Sequence, residues 1–271
     1  MPELPEVETT RRGIAPALEN QRIEALIVRE RRLRWPVPAG LELKLHGQPV
    51  TSFSRRAKYL LLETPAGTAM IHLGMSGSMR IVARGDVPEK HDHFDIVTAA
   101  HDIIRYNDPR RFGSLLWAGA KPAEHPLLAE LGPEPLEPDF TTEHLWQSAR
   151  GRQVTIKQHI MNGKIVVGVG NIYASEALFR AGIHPKRAAG RVAKLRMAKL
   201  IAAIQSVLGE AIQQGGTTLR DYRGGDGKPG YFKQQLNVYE RSGKPCKSCG
   251  SEIKRIVQGQ RATYYCSHCQ R

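Results

Sequence analysis

Four cysteines, Cys246, Cys249, Cys266 and Cys269, constrain this chain more than any other feature of its sequence. They form two Cys-x2-Cys pairs separated by sixteen residues, and all four fall in the last 26 of 271 positions. Each pair presents two sulfurs from one tight knuckle, Gly250 gives the first knuckle the glycine it wants, and the residues between the pairs have room for a hairpin. Four thiolates close a tetrahedron, so the spacing predicts one structural Zn2+ with no open position for catalysis. The alternative, a pair of disulfides, needs an oxidising compartment that nothing in the sequence supports.

The charge balance suggests what a zinc-held hairpin touches. The chain carries 40 Lys and Arg against 26 Asp and Glu, a formal net charge of +14. Residues 237–271 alone hold seven Lys and Arg against two Glu. A basic hairpin suits a nucleic-acid groove, and a polyanionic partner, nucleic acid before membrane, is expected. A generally basic surface is the plain alternative. No run of 18 apolar residues appears and no basic-then-apolar leader opens the chain, so a cytoplasmic protein is expected, associated with the nucleoid in a bacterium.

Periodicity divides the chain. Residues 5–19 read as a helix begun by Pro5, with Val7, Ile14 and Leu18 on one face. From Ile23 the period becomes two, with Ile23, Ala25 and Ile27 alternating with polar neighbours, and strand-like runs continue through residue 118. Residues 59–62 and 70–73 flank a Pro65-Ala66-Gly67 turn; residues 94–97 and 103–106 flank another; 115–117 close the series. Short strands between Gly/Pro turns predict an α+β fold: a β-sandwich with the N-terminal helix over an edge or end. Five prolines between 119 and 138 mark a linker. Thr141 or Thr142 caps a helix, residues 172–179 form another, and residues 191–214 form the clearest, with Leu200, Ile201, Ile204, Val207, Leu208, Ala211 and Ile212 as a packing stripe. The domains expected are 1–118, a linker 119–140, a helical domain 141–236 and the finger 237–271. Residues 220–232, rich in glycine and charge, read as a surface loop, either a lid or a connection.

Several short motifs carry chemistry. Pro2 follows Met1, and removal of that Met leaves a secondary amine with a pKa of roughly 8, able to attack an aldehyde-like carbon. Glu3 beside it suits a general acid or base. The plain alternative is a helix start, where proline and acidic residues are both common. Lys58, in Arg55-Arg56-Ala57-Lys58-Tyr59, opens a strand or is simply a solvated charge. Arg110-Arg111-Phe112 follows the turn Asn107-Asp108-Pro109, and Met75 sits between Gly74 and Gly77; each is an apolar wedge for a duplex or ordinary packing. His91-Asp92-His93 is a weak metal motif. Asn171, after Gly168-Val169-Gly170, caps a helix or contacts a phosphate, with capping the simpler reading. Arg261 falls near the hairpin tip between the cysteine pairs.

Together these residues resemble the bacterial formamidopyrimidine-DNA glycosylases, which share a fold with endonuclease VIII. The match runs nearly end to end: Pro-Glu-Leu-Pro-Glu-Val-Glu at the start, Arg-Arg-Ala-Lys-Tyr, His-Leu-Gly-Met-Ser-Gly, Asp-Pro-Arg-Arg-Phe-Gly, Val-Gly-Asn-Ile-Tyr-Ala, and the finger ending in Cys-Gln. Leu4 favours the formamidopyrimidine branch, since endonuclease VIII enzymes typically carry Gly there. The resemblance implies a helix and β-sandwich, a helix–two-turn–helix domain and a zinc finger. It implies a monomer that excises oxidised purines from duplex DNA and cuts the strand in base-excision repair. Pro2 is then the nucleophile, Glu3 the acid, and Lys58 and Arg261 the proton donors for β- and δ-elimination. His91, Arg110, Arg152 and Asn171 are then DNA contacts, Met75, Arg110 and Phe112 fill the gap left by an everted base, and 220–232 closes over that base. Glu240 (usually Gly), Tyr222 (usually Phe) and Asn162-Gly163 (usually Asp-Asn or Asp-Gln) depart from the family pattern. Two rivals follow: an endonuclease VIII-type enzyme for oxidised pyrimidines, and a non-catalytic zinc protein that binds DNA structures.

Overall fold

A computed structural model describes residues 2–216 and 235–271. The 220–232 loop and Tyr222 therefore lie outside the described residues. The chain divides into two compact units, one built on the residues up to Ala129 and the other on Glu130–Gln213 with the C-terminal residues.

In the first unit, helix α1 (Leu4–Leu18) precedes eight strands and a short helix: β1 (Ile23–Val28), α2 (Leu41–Leu45), β2 (Ser52–Arg56), β3 (Tyr59–Thr64), β4 (Gly67–His72), β5 (Ser78–Val82), β6 (Asp92–Thr98), β7 (Ile103–Asn107) and β8 (Ser114–Gly119). They form two antiparallel four-stranded sheets, ordered β1-β6-β7-β5 and β2-β3-β4-β8. One apolar core joins them: Phe53, Leu60 and Leu62 from one sheet, Phe94, Ile96, Ile104 and Tyr106 from the other, and Val7, Ile14 and Leu18 from α1. Helix α1 packs against the edge strands β2 and β5, closing the side of the sandwich.

Strand β1 departs from simple alternation. Its register against β6 shifts between Ile23 and Ala25. The bulge changes the phase of the pleat, so Leu26 faces the core and Ile27 is 45% exposed. Strands β2 and β5 gave no clear sequence signal, because polar residues and arginines interrupt their apolar alternation.

The proline-rich stretch contains a 3-10 turn (Pro122–Glu124) and the short helix α3 (Pro126–Ala129). The second unit then runs α4 (Thr142–Ala149), α5 (Ile156–Ile160), α6 (Asn171–Arg180), α7 (Lys194–Gln213) and a hairpin, β9 (Ile253–Gln258) with β10 (Arg261–Cys266). Thr141 caps α4 by accepting the His144 N–H at 3.1 Å. Every residue of the stripe expected on α7 is buried. Segment 161–170, with Val166, Val167 and Val169 buried, joins α5 to α6, giving the helix–turn–helix arrangement expected of this region. No helix among the described residues is long and apolar enough to cross a membrane.

Glu240 stands at φ +57°, left-handed backbone that glycine adopts at no steric cost. The departure from glycine therefore stores strain in the finger's lead-in. Glu240→Gly is expected to stabilise the second unit by about 0.5–1 kcal/mol, the steric relief less the extra freedom of glycine when unfolded. Thermal melting checks this; an unchanged or lowered midpoint contradicts it.

Candidate active site

In the first unit residues 2–8 are all buried. Pro2 is buried and Glu3 is 3% exposed. Glu3 is the N-cap of α1 in extended backbone, and its N–H donates to Glu6 Oε2 at 2.8 Å within a reciprocal capping box. The positive end of the helix dipole lies at these residues. Farther along α1, Glu8 is gripped by Arg11, Arg12 and Arg55. Burial pushes its pKa up, but hydrogen bonds from Arg11 and Arg12 and the charges of Arg11 and Arg55 outweigh that and hold it at about 2. Arg55 also donates to the Ala57 carbonyl at 2.9 Å. Glu8 and Arg55 thus tie the N-terminal helix to the turn that carries Lys58.

That turn corrects the sequence reading. Lys58 does not open β3; it is the second residue of the two-residue turn between β2 and β3, after Ala57 at φ +55°. A non-glycine residue in this conformation is strained, as at many functional sites. Below it lies His72, a residue the sequence reading used only as part of a motif. Its Nδ1 accepts the Gly74 N–H at 2.9 Å, so the proton of the neutral ring sits on Nε2. Burial first, then the charges of Lys58 and Arg34, lowers its pKa to about 4. His72 therefore offers a neutral N–H donor beside Lys58 at physiological pH.

Met75 and the Arg110–Phe112 segment come together. A Cβ on Gly74 would run into Gly113 N and the backbone of Phe112, so the two loops touch backbone to backbone. Both apolar side chains project: Met75 is 39% exposed and Phe112 44%. The Arg110 guanidinium lies 4.8 Å over the Phe112 ring, and Arg111 stands at φ +55°. His91 borders the same loop, its carbonyl accepting the Asp108 N–H at 3.0 Å. The metal reading of His91-Asp92-His93 fails. His93 Nε2 bonds the Asp108 carbonyl, while Asp92 takes Arg80, Asn107 and the Glu89 N–H.

In the second unit, Asn171 does not cap α6: Gly170 is the N-cap, and Asn171 is the first helical residue. Its Oδ1 accepts from Lys157 Nζ at 2.6 Å, and its Nδ2 donates to the Ala262 carbonyl at 3.0 Å and to Tyr239 Oη at 3.4 Å. Lys157 is 1% exposed and reaches Thr263 Oγ1 at 2.7 Å as well, so one buried ammonium joins α5, α6 and β10. Glu176, also buried, accepts the N–H groups of Asn237, Val238 and Tyr239 at 2.8–2.9 Å and so places Tyr239. Neither residue showed in the sequence, since a lone Lys or Glu in a helical pattern reads as solvated surface. Arg261 is exposed and begins β10, just after the Gly259-Gln260 tip, whose two residues both have positive φ. With Lys157, Gln158, Met161 and Gln258 it lines a cleft of about 220 Å³. Arg152 is exposed after the Gly151 turn that ends α4, and its charge bears on His159 of α5.

The four cysteine sulfurs lie within 4.8 Å of one another, and are the sole such group of three or more among the described residues. Cys246 and Cys269 sulfurs are 3.9 Å apart, and those of Cys249 and Cys266 are 3.5 Å apart. Zn–S bonds of about 2.3 Å in a tetrahedron place sulfurs about 3.8 Å apart, and a disulfide needs about 2.0 Å. The set fits one structural zinc, packed on Phe179, Val238 and Ile253.

Comparison with known proteins covers the same regions. Residues 1–115 match the formamidopyrimidine-DNA glycosylase N-terminal domain, 131–223 the H2TH domain of that enzyme, and 243–271 the zinc finger found in FPG and IleRS. A formamidopyrimidine-DNA glycosylase of Pseudomonas aeruginosa is 58% identical over 271 residues, covering 100% of both chains. Among solved structures, Lactococcus lactis Fpg in complex with an abasic site containing DNA aligns with a TM-score of 0.92 at 32% identity, over 99% of each chain. A complex of a mutant of that protein with Fapy-dG containing DNA gives the same values.

Proposed function

The chain belongs to the formamidopyrimidine-DNA glycosylase family, and from that premise we propose that it excises oxidised purines, 8-oxoguanine and formamidopyrimidines, from duplex DNA and then cuts the strand. The observation that carries this reading is the Pro2-Glu3 terminus. It is buried at the start of α1, the helix that Glu8 and Arg55 tie to the turn bearing Lys58.

A base inside the stack is out of reach, so the damaged nucleotide leaves the helix, and Met75, Arg110 and Phe112 fill the gap. His91, Arg110 and Arg152 contact the DNA, and Asn171 meets a phosphate. With Met1 removed, the Pro2 amine attacks C1′ as Glu3 protonates the sugar, and the base departs. The resulting iminium acidifies the C2′ proton. Loss of that proton expels the 3′ phosphate, with Lys58 as proton donor; a second elimination expels the 5′ phosphate, with Arg261 in that role. Zinc enters none of these steps; the cysteines hold the shape of the hairpin that presents Arg261. In this reading residues 1–118 are the catalytic domain, 119–140 a linker, 141–236 the helical DNA-binding domain and 237–271 the finger. The protein acts as a monomer in the bacterial cytoplasm, at the nucleoid.

End analysis of a cut duplex tests the proposal. With one 8-oxoguanine opposite cytosine, the expected product is a one-nucleotide gap with phosphate on both flanking ends. An intact strand with a free abasic site overturns the lyase half. Faster cutting at an oxidised pyrimidine overturns the oxidised-purine preference.

A further inference from the structure

We propose that Asp108 is a positioning residue that locks the Met75 loop to the Arg110–Phe112 loop, so that both wedges enter the duplex as one rigid unit. The inference rests on the reading of Met75, Arg110 and Phe112 as gap-filling residues. In the sequence Asp108 is only the middle of an Asn-Asp-Pro turn, and a turn needs no more of it than a bond to the N–H two residues on. The structure gives it far more. Its side chain is completely buried. Oδ1 accepts from Ser76 Oγ at 2.8 Å and from the Arg110 N–H at 3.2 Å; Oδ2 accepts from the Gly113 N–H at 2.9 Å and lies 3.3 Å from Tyr106 Oη. Its backbone is held as well, the N–H by the His91 carbonyl at 3.0 Å and the carbonyl by His93 Nε2 at 2.7 Å.

The placement of these donors gives the carboxylate its role. Ser76 directly follows Met75, while Arg110 and Gly113 bracket Phe112. A single carboxylate therefore grips both loops, next to each exposed apolar tip. Gly74 and Gly113 allow the backbones to meet, and Asp108 fixes the angle at which they do. A buried carboxylate with several donors is rigid, because losing any one bond leaves an unsatisfied polar group in the interior. A wedge must hold its shape while the stack pushes back, and unstacking a paired base is the step that resists.

Asp108→Asn keeps the volume and replaces an acceptor by a donor facing other donors. The test compares three duplexes: a lesion opposite cytosine, the same lesion opposite a gap in the pairing, and a preformed abasic site. Excision of the paired lesion is expected to fall about tenfold, the rate equivalent of one buried hydrogen bond lost. The unpaired lesion, which leaves the stack cheaply, recovers most of that loss, and the preformed abasic site is cut at the wild-type rate. A 2-aminopurine beside the lesion reports a slower opening step in the variant. Equal losses on all three duplexes overturn the proposal and make Asp108 a purely structural residue. Should Asp108→Asn fail to fold, Ser76→Ala removes only the link to the Met75 loop and carries the same comparison. A wild-type protein that excises neither lesion overturns instead the glycosylase reading beneath the inference.

Discussion

A chain carrying one extra residue ahead of Pro2 is expected to bind a lesion duplex and neither release the base nor cut the strand. The extension turns a secondary amine into an amide, whose nitrogen lone pair is delocalised and does not attack carbon. It leaves the protein otherwise intact, because the start of α1 is held by the Glu3–Glu6 capping box and by apolar packing of Val7 and Ile14, neither of which uses the terminal amine. Removing a covalent nucleophile costs about 10⁴-fold or more in rate. Binding by gel shift and the melting temperature stay near wild type, and that separates a missing nucleophile from a missing fold. Retained strand cutting would move the nucleophile elsewhere.

Removing zinc acts on affinity instead. Chelation, or Cys266→Ser, is expected to unfold the finger while the β-sandwich stays folded. The buried apolar cluster that holds the finger is small: Phe179 of α6, Val238, Ile253 and two of the cysteines themselves. Structural zinc supplies about 10–16 kcal/mol in isolated fingers, far more than such a cluster. The hairpin that presents Arg261 is lost with it, and so are the Lys157 and Asn171 bonds to β10. The slope of log affinity against log salt should flatten by about 0.9 for each phosphate that the finger no longer neutralises. Sandwich circular dichroism that collapses together with the finger, or DNA binding indifferent to the metal, contradicts this expectation.

Much of this fold is legible in the sequence, for specific reasons. The cysteine spacing encodes its own coordination geometry. The α7 stripe and the two hairpins around Pro65-Ala66-Gly67 and residues 98–103 follow from periods that backbone geometry imposes. The sequence reading fails where one local event changes the phase or an interaction comes from far along the chain. The β1 bulge turns Ile27 outward and Leu26 inward. Lys58 moves from a strand to a turn because Ala57 adopts a left-handed backbone. Asn171 has a cap's identity and neighbourhood, yet Lys157, Tyr239 and Ala262 hold its side chain instead, the last 91 residues away. Asp108 bonds Ser76 across 32 residues, and no local pattern encodes that.

An N-terminal amine that forms a covalent imine with DNA is read directly by borohydride trapping, which reduces the imine to a stable bond. The substrate is a duplex with one 8-oxoguanine opposite cytosine, with wild type run beside the chain extended by one residue. A nucleophilic Pro2 predicts a reduced protein–DNA adduct from the wild type alone. An adduct from both chains would contradict it, because an internal lysine would then be the nucleophile. If the duplex is bound and neither chain is trapped, the protein recognises damage without this chemistry.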